Sequence, residues 1–344
     1  MMEDLRRQDR LWSIILADDQ EDSAFLIEQG RGIPTPIPYC TVVGTRSVLQ
    51  HTFDRADRLS KPDRRVTVAS RVRRKEARNH LDGRSAGMVV SQPAHRGTAA
   101  GVFLALTYVR ARDPQATVVI YPASQFVHPE LRFVEAVEQA VCAANRLADR
   151  VILLGVHPEH QDRGYSWILP GEEVCWASGR QVRYVESFRH PCPVTENRSR
   201  ILSGALWHTG IIAAQVDTLW GLGERCFPQM TRMFGRLTDT IGTLRENWSV
   251  ATAYQFLPEG DFLTDLLIPC RDSLGVMRMG GVLWSDWADP LRIRGTLERL
   301  DMEPLYPLPL DTSLIEVGMP EDTGPLGASP IRTSKQLATK SHHA

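Results

Sequence analysis

Apolar residues in this chain of 344 residues fall alternately into short unbroken runs and into stripes of helical spacing. Residues 12–17 form an apolar run of strand length and predict a buried strand. From 18 to 45 the pattern stops. Gly30, Gly32, Pro34, Pro36 and Pro38 punctuate that stretch, its first half is acidic, and a loop is expected. Leu49, Phe53 and Ala56 then recur at helical spacing. Residues 66–69 predict a second strand, a basic helix follows, and 88–90 predict a third strand. Across 98–110 the residues Ala99, Val102, Phe103, Leu106 and Val109 share one helical face. Residues 117–121 are another strand, stopped by Pro122. Phe133, Val137, Ala140, Val141, Ala144 and Leu147 mark the clearest helix, over 130–148, and 151–156 is again a strand. Strands alternating with such helices predict an α/β chain with a mostly parallel sheet covered on both faces.

Beyond residue 160 the alternation loosens. Strands are expected at 182–186, 205–214 and 275–279, and helices at 216–222 and 229–246, an α+β second half that would complete the rim of a site. Residues 320–344 are rich in Gly, Pro, Ser, Thr and Lys and poor in apolar residues, which predicts a disordered tail. The expected organisation is one domain over 1–300, an extension over 301–319 and the tail. No internal repeat is visible.

Charge removes two function classes. Lys and Arg number 40 against 41 Asp and Glu, a net charge of −1, so nothing favours nucleic acid or an anionic membrane as partner. The basic run at 71–75 has no flanking aromatics to stack bases and reads as a solvated helix face. No two of the six cysteines have C-x-x-C spacing, which argues against a zinc or dithiol centre and fits a reducing compartment. The run at 11–17 is too short to span a membrane, so a cytoplasmic protein is expected. His157 and His160 flank Pro158-Glu159 and read as surface residues. The acids at 18–22 lack fixed spacing and read as solvated.

In a doubly wound sheet, ligands bind outside the carboxyl ends of the strands. Three segments follow such ends: Ala17-Asp18-Asp19-Gln20, Ser91 to Ala100, and Tyr121-Pro122-Ala123-Ser124-Gln125. The second has the chemistry of a ligand loop. It holds Arg96, Gly97, and Thr98 placed to cap a helix whose first N–H groups point at an anion or a base edge.

Seven segments in one order resemble the sugar-1-phosphate nucleotidyltransferases, in particular the mannose-1-phosphate guanylyltransferases. Gln92-Pro93-x-x-Arg96-Gly97-Thr98-Ala99-Ala100 is similar to their E-P-x-x-R-N-T-A-P. Residues 118–125 are similar to L-x-x-x-P-A-D-H. Gly155-Val156-x-Pro158 with 163–168 is similar to G-I-x-P and T-G-Y-G-Y-I. Residues 184–188 resemble F-V-E-K-P, 206–211 resemble L-W-N-S-G-M, and Trp284-Ser285-Asp286-Trp287 resembles W-S-D-V-G. Upstream, 43–50 resembles the L-x-G-x-S-L-L-Q before the second helix. The likeness covers residues 12–290.

The resemblance implies a Rossmann-like nucleotidyltransferase fold and a reaction in which a sugar 1-phosphate attacks the α-phosphorus of a nucleoside triphosphate, releasing pyrophosphate. It implies Mg²⁺ as cofactor, GTP as the favoured nucleotide, Gln92, Arg96, Gly97 and Thr98 as nucleotide-binding residues, Gly164, Tyr165, Glu186 and His208 as sugar-binding residues, and Asp286 as metal ligand. Other positions depart from the family. The Gly-rich loop is replaced by acids at 18–22, the loop arginine has no counterpart, the P-K-Q-F lysine falls near Pro38-Tyr39, the strand-end metal Asp is Ser124, and the lysine of F-V-E-K-P is Ser187. Acids beside a polyphosphate repel it, and side chains keep the backbone away from it. Two readings follow: a divergent enzyme, or a non-catalytic relative that binds a nucleotide, a sugar phosphate or a protein partner. They divide on whether Gly30-Arg31-Gly32 reaches the phosphate position.

Overall fold

A computed structural model describes residues 10–17, 26–28, 34–81, 83–85, 87–158, 162, 164–177, 179–189, 199–306 and 308. The acidic stretch at 18–22, Gly30-Arg31-Gly32, His160, Arg163, most of the 301–319 extension and the tail at 320–344 lie outside the described residues.

In chain order the elements begin with β1 (Leu11–Leu16), β2 (Leu26–Glu28), β3 (Pro34–Pro36), α1 (Val48–Asp57), β4 (Arg65–Ser70), α2 (Arg74–Asn79) and β5 (Met88–Gln92). There follow α3 (Gly97–Arg112), β6 (Thr117–Pro122), β7 (Gln125–His128), α4 (Glu130–Arg146) and β8 (Val151–Val156). The second half holds β9 (Trp167–Ala177), β10 (Arg180–Arg189), β11 (Leu206–Gln215), α5 (Val216–Cys226), α6 (Pro228–Leu237), α7 (Glu246–Phe256), β12 (Leu274–Arg278), β13 (Leu283–Asp286) and α8 (Pro290–Arg299).

Nine strands form one sheet in the order β5-β4-β1-β6-β11-β8-β12-β10-β9. The strands β5, β4, β1 and β6 run parallel, as the alternation predicts. β11 wedges antiparallel between β6 and β8, and β12 lies parallel to β8. Neighbours on β1 divide between the two faces: Ile14 belongs to a core with Phe103, Leu153 and Phe234, Ile15 to one with Tyr121, Phe133 and Val137. Such two-sided burial is what a covered parallel strand requires. The start of α1 was written in the sequence as Ser47-x-x-Gln50, a reciprocal capping box in which each side chain accepts from the other residue's backbone N–H. The carboxyl ends of β1, β4, β5, β6, β8 and β12 and the beginning of β11 gather at one edge of the sheet, where the candidate site lies.

Three expectations need correction. The stripe on α3 is not one face: every residue from Ala99 to Val109 is buried, because the helix packs on β1 and β4 and under α5 and α6. The single helix over 229–246 is two, α6 and α7, broken at Gly242, whose φ of +79° suits no other residue well. A long β9–β10 pair replaces a lone strand at 182–186; β9 carries exposed Glu172 and Glu173 mid-strand and so lacks an apolar signal. The short pair β7–β13 and the helix α8 also escape the sequence pattern. Among the described residues no helix is long and apolar enough to cross a membrane.

Candidate functional site

The loop after β5 is the clearest sequence expectation, and its polar groups turn toward the protein. Gln92 is buried; its Oε1 accepts from the Tyr254 hydroxyl at 2.7 Å. Arg96, the residue before α3, donates from Nε to the Tyr254 carbonyl at 3.1 Å and pairs loosely with Glu259 at 3.8 Å. Gly97 has φ +75°, and a Cβ there would stand 2.2 Å from the Gly260 carbonyl oxygen. The glycine therefore admits the Gly260 backbone, whose carbonyl accepts from Ala99 N–H at 3.0 Å. Thr98 does not cap its helix. It is the second residue of α3, donates to Asp261 Oδ2 at 2.9 Å and accepts from Phe262 N–H at 2.7 Å. The 259–262 segment thus occupies the helix start that a ligand was expected to meet.

His208 lies on β11 opposite Gly155 of β8. Its N–H donates to the Ser166 carbonyl at 2.8 Å, and its ring meets Phe188 edge-on, centroids 6.1 Å apart. Nε2 is buried and has no hydrogen-bond partner. Burial pushes the imidazole pKa down to about 4, with Asp261 pulling weakly the other way. The ring is therefore neutral near pH 7.

The remaining expected residues assemble a different kind of centre. Asp286 ends β13; its Oδ1 accepts from Ser124 Oγ at 2.8 Å and from Ala288 N–H at 3.2 Å. Tyr165 is buried between Trp207 and Trp284, and its hydroxyl accepts from Asp286 N–H at 3.1 Å. Burial pushes its pKa up to about 12. Over the Tyr165 ring, at 3.8 Å, sits the guanidinium of Arg292. Arg292 makes a bidentate pair with Asp162 (2.8 and 2.9 Å) and lies 4.0 Å from Asp286 Oδ2. Burial opposes the Arg292 charge, but Asp162, Tyr165 and Asp286 together raise its pKa. Gly164 makes room for it, since a Cβ there would stand 2.2 Å from Arg292 Nη2. Glu186 is set apart: it is exposed and lines a shallow cleft with Gly171, Glu172, Arg183 and Tyr184.

These residues do not fit a divalent cation. Mg²⁺ asks for one or two free carboxylates and open coordination positions. Here the second carboxylate position is a serine hydroxyl that donates to the first, and a guanidinium already faces Asp286. Among the described residues no three His, Cys, Asp or Glu side chains gather as a metal site. Arg292, Asp162 and Asp261 were missed by sequence reasoning. Arg292 falls after the last recognisable segment, and nothing in its neighbours announces its partner 130 residues away.

A cavity of about 610 Å³ lies beside this centre, lined by Val42, Arg55, Val127, His128, Glu130 and Trp287 among others. No expected site residue lines it, and its buried cation Arg55 is already hydrogen-bonded to Thr52 and the Gln125 carbonyl and lies 3.8 Å from Glu130.

No protein-family model matches the chain. Mannose-1-phosphate guanylyltransferase 2 of Escherichia coli is 26% identical over 190 residues, which is 51% of this chain and 38% of that protein. The chain therefore matches well under half the length of that relative. Among solved structures, mannose-1-phosphate geranyltransferase from Thermus thermophilus superposes with a TM-score of 0.69 at 20% identity, covering 85% of this chain and 79% of that one. Mannose-6-phosphate isomerase from Helicobacter pylori gives 0.61 at 13% identity over 80% of this chain and all (100%) of that one. At these identities the structural likeness is one of fold. The ordered motifs, the curated relative and the shared fold agree in their likeness to the sugar-1-phosphate nucleotidyltransferases.

Proposed function

We propose that this chain is a non-catalytic relative of the mannose-1-phosphate guanylyltransferase type, which binds a nucleotide or a sugar phosphate without joining them at an enzyme's rate. The observation that carries the reading is the state of Asp286: the carboxylate that would hold Mg²⁺ accepts from Ser124 and faces Arg292. Nucleotidyl transfer depends on positioning and charge neutralisation at the phosphates. Removing one such contact typically costs about 10²–10³-fold in rate. Here the Gly-rich loop, the loop arginine, both lysines and one metal Asp are replaced together.

Two observations support binding. Arg96 is about one-third exposed at the α3 start, and His208 keeps an unpartnered Nε2. These two are the residues we assign to ligand contact, with GTP the favoured nucleotide. Gln92, Gly97 and Thr98 frame the loop, and Gly164 and Tyr165 frame the Asp286 centre.

The test is pyrophosphate release from purified protein with Mg²⁺, GTP and mannose 1-phosphate, alongside calorimetry with each ligand alone. The expected result is no sugar-dependent release, together with binding that weakens in Arg96→Gln or His208→Ala. Sugar-dependent release that disappears in Asp286→Ala would establish an enzyme and defeat this reading.

A further inference from the structure

Beyond β8 the sheet edge carries a second concavity. A cavity of about 480 Å³ is lined by apolar Leu206 and Val276 and by His157, Arg180, Arg183 and Arg278. That volume lies within the range of small-molecule sites. No carboxylate is among its lining residues. Three arginines largely buried elsewhere in the chain sit on acids: Arg65 on Asp57, Arg84 on Asp54, Arg292 on Asp162. Arg180, Arg183 and Arg278 have no ion-pair partner among the described residues.

One of these guanidiniums is also held in place. Arg180 donates from Nε to Gln139 Oε1 at 2.5 Å and from Nη1 to the Arg278 carbonyl at 3.4 Å. Arg183 Nε is buried without a hydrogen-bond partner. Glu173, opposite Arg183 across the β9–β10 pair, accepts instead from Gln181. At the rim Trp176 is 57% exposed. Like charges around one cavity repel each other in a reduced dielectric, and the planar fork of a guanidinium matches phosphate oxygens.

We propose that this cavity binds a small molecule carrying two or more phosphoryl groups, held by Arg180, Arg183 and Arg278 and flanked by the Trp176 ring. The proposal is independent of the reading of the Asp286 centre and holds whether or not the chain transfers nucleotides.

The experiment titrates the full chain with inorganic tripolyphosphate while following tryptophan emission and heat. A saturable emission change that is absent from Trp176→Phe is expected. Charge-assisted hydrogen bonds predict affinity weaker by about tenfold in each of Arg183→Gln and Arg278→Gln. Circular dichroism checks that the variants fold; Arg278 is exposed, so its variant carries the test if Arg183→Gln does not fold. Sulfate at matched ionic strength should leave emission unchanged. Equal responses to sulfate and tripolyphosphate, or undiminished affinity in Arg278→Gln, would overturn the proposal. Loss of binding in Arg96→Gln instead would place the anion in the other cleft and overturn it as well.

Discussion

Asp286 and His208 lie at the same sheet edge, and their surroundings have been settled in opposite ways. Around Asp286 each charge has met a partner inside the chain: Ser124 and Ala288 on one oxygen, Arg292 near the other, Asp162 behind Arg292. Around His208 the chain has walled in a ring and left Nε2 without a partner. A satisfied cluster contributes stability and resists ligands that would compete for it. An unsatisfied buried group costs stability until a ligand supplies its partner. The contrast teaches that neighbouring polar groups at one sheet edge can be settled differently, one by partners inside the chain and the other by burial alone.

The comparison breaks most visibly at Arg292. Its side chain and that of Asp162 are each 11% exposed, and removing one partner of a nearly buried pair strands the other. Arg292→Ala should lose about 3 kcal/mol of folding stability, seen as a lower denaturant midpoint at unchanged slope. A loss under about 0.5 kcal/mol, the size of an ordinary surface substitution, would show that the centre is not held by this pair.

Acid sharpens the other side. The His208 pKa is near 4 when folded and 6.5 when unfolded, because burial disfavours the charged ring. The unfolded chain thus binds the extra proton first. The contribution is intact above pH 6.5 and is lost as pH falls from 6.5 toward 4, by about 3 kcal/mol in full. Comparing denaturation at pH 7 and 4.5 for wild type and His208→Asn isolates it, since the variant should show a shallower acid loss. Equal acid losses would mean that His208 titrates normally. The smallest effect belongs to Ser124→Ala, which removes one hydrogen bond from Asp286 and should cost about 1 kcal/mol. A neutral result would leave Arg292 as the main restraint on that carboxylate.

Much of the frame was legible because the rules that write it are local. Apolar runs at 12–17, 117–121 and 151–156 became β1, β6 and β8 within a residue, since a strand covered on both faces needs an unbroken run. The family segments also singled out Ser124, Tyr165 and Asp286 under separate roles, and the structure brings the three together. What stayed hidden was pairing across long separations. Thr98 reads as a cap in sequence, yet Asp261 and Phe262, far along the chain, take its hydroxyl. Arg292 stands on a helix that the sequence pattern does not show, and only the bare Gly164 beneath it marks where it goes. Short elements such as β7 and β13 offer too few residues for any period to show.

The position of β11 has a consequence for how the chain is made. β8 ends at Val156, and β11, which must slide between β8 and β6, begins only at Leu206. At about 5–20 residues per second on the ribosome, that gap lasts several seconds. Throughout it, the two strands that will flank the middle of the sheet present bare edges to each other and to any neighbour. A chain interrupted before residue 206 would therefore not be a smaller version of this fold: β6 would keep an open edge and β8 would lack both of its neighbours, β11 and β12, leaving those edges to other nascent chains.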